Sequence, residues 1–168
     1  MANVLFVIAP EGFRDEELFI PKAELEKCGH KTWVASNKLG KCLGSRGGSA
    51  GAELLLKDVN TKDFDAIIFV GGGGSRVFFN DPNALNIANE FNKEEKIVAA
   101  ICVAPVILAN ADLLKGKNAT VFESEVEAIK SKGANYTGLG VTVDGNIVTG
   151  DSPKSAQAFG EKLCELLG

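Results

Sequence analysis

The hydrophobic positions of the chain fall into short apolar runs that alternate with longer amphipathic stretches. Continuous apolar runs are typical of strands that helices cover on both faces, and apolar residues at helical spacing are typical of the covering helices. The predicted strands lie at residues 4–9, 31–35, 66–70 and 96–101. The predicted helices are a segment after Gly12 that ends at Gly29, residues 83–91, residues 106–114 and a last segment that runs to Leu167. This alternation predicts a mostly parallel sheet, and a flavodoxin-like three-layer α/β/α sandwich fits it best.

Local turn signals complete the expected elements. Asp144-Gly145-Asn146 separates two β-rich runs and indicates a hairpin, and the glycine-rich residues 39–49 allow a smaller one. Ser152 followed by Pro153 is typical of an N-cap and a first helical position, so we expect the last helix to begin there. No linker, repeat or low-complexity segment interrupts this order, and we expect one domain over residues 1–168.

The charge balance argues against several classes of partner. The chain has 18 basic and 22 acidic residues, a net charge of -4, and no dense block of either sign. Nucleic acid and anionic membranes are therefore not expected as partners. No apolar run reaches the ~20 residues that a membrane-spanning helix needs, and the first residues lack the pattern of a signal peptide. We expect a cytoplasmic location.

The four cysteines are widely spaced and do not follow the spacing of metal ligands. They are Cys28, Cys42, Cys102 and Cys164. In a reducing cytosol all four are expected to be free thiols. The single histidine, His30, lies on the connection at the amino end of the second predicted strand, and we expect it to be a surface residue. A Cys–His dyad within one chain is then not expected.

The turn at Cys102 carries the strongest chemical signal. Sites in an open α/β sheet form beyond the carboxyl ends of the strands, and Cys102 follows a buried strand and precedes a helix that begins near Pro105. The arrangement resembles a nucleophile elbow. Free amides at the start of the helix are expected to lower the thiol pKa below its usual ~8.5. A small buried packing residue is the alternative that position alone leaves open.

Two further turns end at the same edge of the predicted sheet. The glycine run at residues 71–74 lacks the spacing of a dinucleotide or phosphate loop. It either brings backbone amides close to an oxyanion beside Cys102 or makes a permissive tight turn. Glu17 lies in a charged stretch and is a solvated helix residue unless it points at Cys102. A partly buried carboxyl there would tend to be protonated and could donate a hydrogen bond to the thiolate or carry protons.

Six segments occur in an order that resembles the ThiJ/PfpI superfamily, which includes PfpI-type intracellular peptidases and the Parkinson-disease deglycase branch. These segments are VLFVIA from residue 4, ELFIP from residue 17, DAIIFVGG from residue 65, AAICVAP from residue 99, LLKGK from residue 113 and VDGNIVT from residue 143. The resemblance implies that Cys102 is the elbow nucleophile, Glu17 the carboxyl that contacts it, and the Gly72 and Val103 amides the oxyanion donors. It also implies a flavodoxin-like fold and a homodimer or larger homo-oligomer, and it implies no cofactor or metal.

The chain departs from this family where a histidine is usual. PfpI-type members place a histidine directly after the cysteine, where this chain has Val103. The deglycase branch supplies one on a later loop, where this chain has Phe122, and a common arginine before proline is replaced in Gly150-Asp151-Ser152-Pro153. The departures weaken a peptidase function, because attack on an amide needs a base for the thiol and an acid for the leaving amine.

Three functions remain open on the sequence. In the first, Cys102 adds to a small reactive carbonyl such as methylglyoxal and Glu17 moves protons, as in a glyoxalase or deglycase. In the second, an oxidant modifies Cys102 in a redox-responsive or chaperone-like stress protein. In the third, the chain is a diverged scaffold in which Val103 and Phe122 fill a vacated pocket. The first two rank equally, and a cysteine peptidase ranks behind both.

Overall fold

The strands form one central sheet that is flanked by helices. The computed structural model describes all residues, 1–168. Its strands are β1 (Asn3–Val7), β2 (Glu11–Phe13), β3 (Lys31–Ser36), β4 (Gly40–Gly44), β5 (Ser49–Ala52), β6 (Leu54–Leu55), β7 (Ala66–Phe69), β8 (Ile97–Ile101), β9 (Asn118–Ala119), β10 (Asn135–Tyr136), β11 (Val141–Asp144) and β12 (Ile147–Gly150). Its α-helices are α1 (Asp15–Lys27), α2 (Pro82–Lys93), α3 (Pro105–Asn110), α4 (Val126–Ser131) and α5 (Ala156–Leu167).

The main sheet has seven strands in the order β11-β12-β8-β7-β1-β3-β6. Every pairing in it is parallel except that of β11 with β12, which form the expected hairpin. The smaller expected hairpin is formed by β4 and β5, which pair with β2 in a separate three-stranded sheet. The parallel order brings the carboxyl ends of β1, β7 and β8 side by side, and the turns that follow these strands therefore meet.

The two faces of the main sheet are buried by different helices. Leu5 and Val7 pack in one apolar core with residues of α2 and α3, while Val4 and Phe6 pack in the other with residues of α1 and α5. Alternate residues of a strand point to opposite faces, so a strand buried on both sides has no polar position. This arrangement confirms the flavodoxin-like three-layer sandwich. None of the five α-helices combines the length and apolar character that a membrane crossing requires.

Two predicted helix boundaries are wrong for local reasons. Helix α3 ends at Asn110 because Asp112 adopts φ 63° and the Leu113 N–H donates to the Leu108 carbonyl at 3.0 Å, which closes the helix with a left-handed turn. Helix α5 begins only after a short 3-10 turn over Pro153–Ser155. The hydroxyl of Ser152 donates to Asp151 Oδ1 at 3.0 Å and makes no cap hydrogen bond. The Ser152 side chain is thus oriented toward Asp151 and accepts no amide of the following turn.

Predictions about His30 and two of the cysteines are also wrong. His30 is only 5% exposed, because the α1–β3 connection packs beneath the start of β1 and the Ala2 N–H donates to His30 Nδ1 at 2.9 Å. Cys28 and Cys164 form a disulfide, since the ends of α1 and α5 meet in space although 136 residues separate the two cysteines in sequence. Only Cys42 and Cys102 are free thiols, and both are buried.

Asp15 fixes the start of α1. Its carboxylate oxygens accept the Arg46 N–H at 2.9 Å and the Gly48 N–H at 2.7 Å, which ties the helix to the turn between β4 and β5. The side chain is only 9% exposed. Glu17 lies two residues later in the same helical turn, so Asp15 holds the backbone from which Glu17 projects.

Replacing Asp15 should therefore destabilise the fold. Asp15→Ala leaves two partly buried amides without an acceptor, and we expect the free energy of unfolding to fall by about 2–4 kcal/mol. Asp15→Asn keeps one acceptor oxygen and is expected to lose about half as much. Denaturant unfolding of both variants measures the difference. A loss below about 0.5 kcal/mol in Asp15→Ala, the range of a neutral surface change, would show that water replaces the carboxylate.

Candidate active site

The backbone turns sharply at Cys102, directly after β8. Cys102 has φ 64°, a left-handed conformation that is unusual for a residue with a side chain. Two hydrogen bonds hold it there, because the Cys102 N–H donates to the Gly150 carbonyl at 2.9 Å and the Cys102 carbonyl accepts the Phe122 N–H at 2.8 Å. The side chain is directed away from the strand and is 7% exposed. This is the backbone geometry expected of a nucleophile elbow.

Glycines at positions 71 and 72 let neighbouring chain segments approach Cys102. A β-carbon at Gly71 would lie 2.5 Å from Glu17 Oε1 and 2.8 Å from Cys102 Cβ, so Gly71 sits between the two side chains. Gly72 has φ 97°, and a β-carbon there would collide with the backbone of Gly12 and Arg14. The glycine run therefore permits close packing as well as a turn, and its first residue brings Glu17 and Cys102 together.

The backbone amides of Gly72 and Val103 face the Cys102 sulfur. Both lie close enough to the sulfur to lower the pKa of Cys102, although other effects outweigh them. Neither N–H donates to a backbone carbonyl. The two amides are therefore free to stabilise negative charge that develops beside the sulfur, the arrangement of an oxyanion hole.

Glu17 is fully buried at the start of α1. Neither of its carboxyl oxygens has a hydrogen-bond partner, so its contacts with the Cys102 sulfur and the Gly71 amide fall short of hydrogen-bond geometry. Burial raises the pKa of Glu17 to about 7, and the nearby Cys102, Arg14 and Gly71 oppose this rise only in part. The alternative of a solvated helix residue is therefore wrong for Glu17.

The pKa of Cys102 moves in the direction opposite to the one expected from the sequence. Burial of the sulfur, followed by the negative charge of the nearby Glu17, raises the pKa of Cys102 to about 12. These effects outweigh the amides at the turn, so the expected low thiol pKa is wrong. Near neutral pH the site therefore holds a protonated thiol beside a carboxyl that is losing its proton. That is the arrangement of a nucleophile with its general base.

A pocket of about 620 Å³ adjoins the Cys102 turn. It is lined by Arg14, Glu16, Val121, Phe122, Glu123, Tyr136, Asp151, Ser152, Pro153 and Lys154. Phe122, one of these lining residues, donates its N–H to the Cys102 carbonyl. A second pocket of about 560 Å³, beside Asn3 and Trp33, has no cysteine, serine or histidine in its lining. Neither Cys102 nor Glu17 lines either pocket, and the first pocket borders the Cys102 turn through the backbone of Phe122.

Arg14 belongs to the site although no motif marks it in the sequence. Its N–H donates to the Gly71 carbonyl at 3.0 Å, and its guanidinium pairs with Glu16 through two hydrogen bonds of 3.0 Å. Its positive charge also acts on Glu17 and Cys102. The only signal for it is its position one residue before α1. His30, in contrast, lies at the amino end of β3 and does not join the site.

Fold and site together define a flavodoxin-like protein with a cysteine at a strand–turn–helix elbow and a buried carboxyl beside it. Residues 2–166 match the DJ-1/PfpI family, and the chain belongs to that family. It is 46% identical to an uncharacterized protein of Methanocaldococcus jannaschii, over 99% of this chain and 82% of that protein. It is 34% identical to the deglycase PfpI of Pyrococcus furiosus, over 98% of this chain and 99% of the relative.

A solved structure supports the same assignment. The ThiJ/PfpI domain protein of Brachyspira murdochii superposes with a TM-score of 0.97 at 36% identity, covering 98% of this chain and 95% of the other. The family resemblance and the fold predicted from the sequence are therefore confirmed.

Gly71→Ala should disrupt the site, because the new methyl group has to displace Glu17 or Cys102. We expect a loss of about 1–3 kcal/mol in the free energy of unfolding together with a loss of Cys102 chemistry. Gly73→Ala is the matched control, since a β-carbon at the exposed Gly73 has no neighbour within 4 Å. Equal behaviour of the two variants in denaturant unfolding would contradict the close approach at Gly71.

Glu17→Gln should change how stability depends on pH. The pKa of Glu17 is about 7 in the fold against an ordinary value of 4.5, so the folded chain binds this proton more tightly than the unfolded chain. The resulting stability is fully present below pH 4.5 and is lost as the pH rises through about 7. Relative to the glutamine variant, the wild type should lose on the order of 3 kcal/mol across this range.

Denaturant unfolding at a series of pH values measures this difference. Glu161→Gln, on the exposed side of α5, is the matched control and should keep the wild-type profile. Parallel pH profiles for the wild type and Glu17→Gln would mean that folding does not raise the pKa of Glu17.

Proposed function

We propose that Cys102 and Glu17 carry out cofactor-independent chemistry on small reactive carbonyl compounds such as methylglyoxal. The observation that carries the proposal is the contact of a buried carboxyl, whose pKa is raised to about 7, with a protonated thiol. A general base works best when its pKa lies near the working pH. The similarity to a relative named deglycase supports the same class of chemistry.

The first step forms a bond between the sulfur and the carbonyl carbon. As the Cys102 sulfur attacks the aldehyde carbon, the Glu17 carboxylate accepts the thiol proton. The π electrons of the carbonyl move to its oxygen, and the Gly72 and Val103 amides stabilise the resulting negative charge. This step uses the raised pKa of Cys102, because the proton leaves the thiol only when a base is in contact with it.

The later steps move a hydrogen along the substrate. Glu17 returns its proton to the alkoxide, then removes a proton from the former aldehyde carbon and delivers it to the neighbouring carbon. The hydroxyl proton on the former aldehyde carbon passes to the oxygen of the former ketone, which becomes the hydroxyl of lactate. The ketone is thereby reduced and the aldehyde carbon oxidised, which leaves a thioester of lactate on Cys102. Water cleaves the thioester to lactate and restores the thiol. The sum is methylglyoxal plus water to lactate, with no external oxidant or reductant.

The site is less suited to the other functions considered. A peptidase needs an acid for the leaving amine, and this chain has Val103 and Phe122 where the family resemblance leads us to expect a histidine. Attack on an aldehyde releases no leaving group, so it does not require an acid to protonate one. Oxidation by peroxide requires a thiolate, and the raised pKa of Cys102 keeps the thiolate fraction small. The homo-oligomer and the cytoplasmic location stay predictions from the sequence.

Lactate formation from methylglyoxal tests the proposal. Cys102→Ser should abolish it, and Glu17→Gln should reduce kcat/KM by about 10²–10⁴. The wild-type rate should rise with pH through about 7, as Glu17 loses its proton and becomes the base. Cys28→Ser, an exposed cysteine at the far end of α1, is the matched control and should retain activity. Undiminished lactate formation in Cys102→Ser would overturn the proposal.

A further inference from the structure

Helices α1 and α5 lie side by side on one face of the main sheet. Gly160 of α5 allows close approach, since a β-carbon there would lie 3.0 Å from Pro21 Cα. Gln157 Nε2 donates to Glu24 Oε2 at 3.0 Å. The Cys28–Cys164 disulfide closes the same interface at its far end. Close packing at Gly160, the hydrogen bond from Gln157 to Glu24 and the disulfide therefore all join α5 to α1.

The disulfide is accessible and lies apart from the proposed catalytic pair. Cys28 directly follows α1 and is exposed, whereas Cys164 is half-buried on α5. Glu17 occupies the first turn of α1 and Cys28 follows its last, which at 1.5 Å per residue places them roughly 16 Å apart along the helix. Reagents can therefore reach Cys28 from solvent without entering the pocket beside Cys102.

We propose that Cys28 and Cys164 are a reversible thiol–disulfide exchange site, independent of Cys102, whose oxidised form fastens α5 to α1. The co-reactant is a dithiol. One of its thiolates attacks Cys28 Sγ, the disulfide bond breaks and Cys164 leaves as a thiolate. The second thiolate of the reagent then attacks the mixed disulfide and releases Cys28. Two electrons and two protons pass from the dithiol to the protein, and the reagent is left as a disulfide.

The oxidised form should be the more stable one. The cross-link joins residues 136 positions apart, and a disulfide that closes so long a segment restricts the unfolded chain strongly. We expect reduction to lower the thermal midpoint by about 5–15 °C for a chain of this size. The packing of α1 on α5 remains, so the reduced protein should stay folded at room temperature.

The experiment compares protein purified without reductant with the same protein after dithiothreitol treatment. Under denaturing conditions, thiol titration should find two free thiols before reduction and four afterwards. Mass spectrometry of a digest should find the peptides of Cys28 and Cys164 joined before reduction. Re-oxidation with glutathione disulfide should restore both the joined peptides and the thermal midpoint.

Two variants separate this site from Cys102. Cys28→Ser changes an exposed position and should show no fall in thermal midpoint on reduction, whereas Cys102→Ser should show the full fall. Four free thiols in the unreduced wild type would overturn the proposal, as would an equal fall in Cys28→Ser. So would uptake of one equivalent of Zn²⁺ by the reduced protein with loss of re-oxidation, because Glu24, Cys28 and Cys164 would then be metal ligands.

Discussion

The contact between the Glu17 carboxyl and the Cys102 sulfur is the constraint around which this edge of the sheet is built. It needs a position without a side chain between the two groups, and Gly71 provides it. It needs the cysteine in a left-handed turn, which the Gly150 carbonyl and the Phe122 amide hold from either side. It also needs the first turn of α1 fixed in place, which Asp15 achieves by accepting backbone amides of the turn between β4 and β5.

The proposed reaction relies on the same contact in place of a histidine. Water is excluded from Glu17, and no hydrogen bond compensates its burial, so the carboxyl keeps its proton to a pH at which most carboxyls are ionised. A base of that strength can take the place of an imidazole for an adjacent thiol. Attack on an aldehyde carbon has no leaving group, so the second function of a catalytic histidine, protonation of a leaving amine, is not needed.

The two ends of helix α1 lie beside cysteines in different environments, Cys102 at the start and Cys28 at the end. At its start, Glu17 meets a buried thiol whose pKa is raised and which solvent hardly reaches. At its end, the exposed Cys28 is oxidised to a disulfide with Cys164 of the neighbouring helix. The difference follows from surroundings rather than from the residue type, because burial and a nearby carboxyl suppress the thiolate at one end while proximity to a second sulfur permits oxidation at the other.

The sequence by itself determined the order of the main strands and helices, the sandwich and the elbow at Cys102, because apolar periodicity and turn residues act over short stretches of chain. It did not predict α4 or the short strands β2, β6, β9 and β10. Through a family resemblance it also pointed to Glu17 and the Gly72 and Val103 amides. Only the tertiary structure decided that Cys28 meets Cys164, that His30 is buried and that the Cys102 pKa rises. Each of these depends on which distant segments exclude water from a side chain or approach it, and no local pattern encodes that.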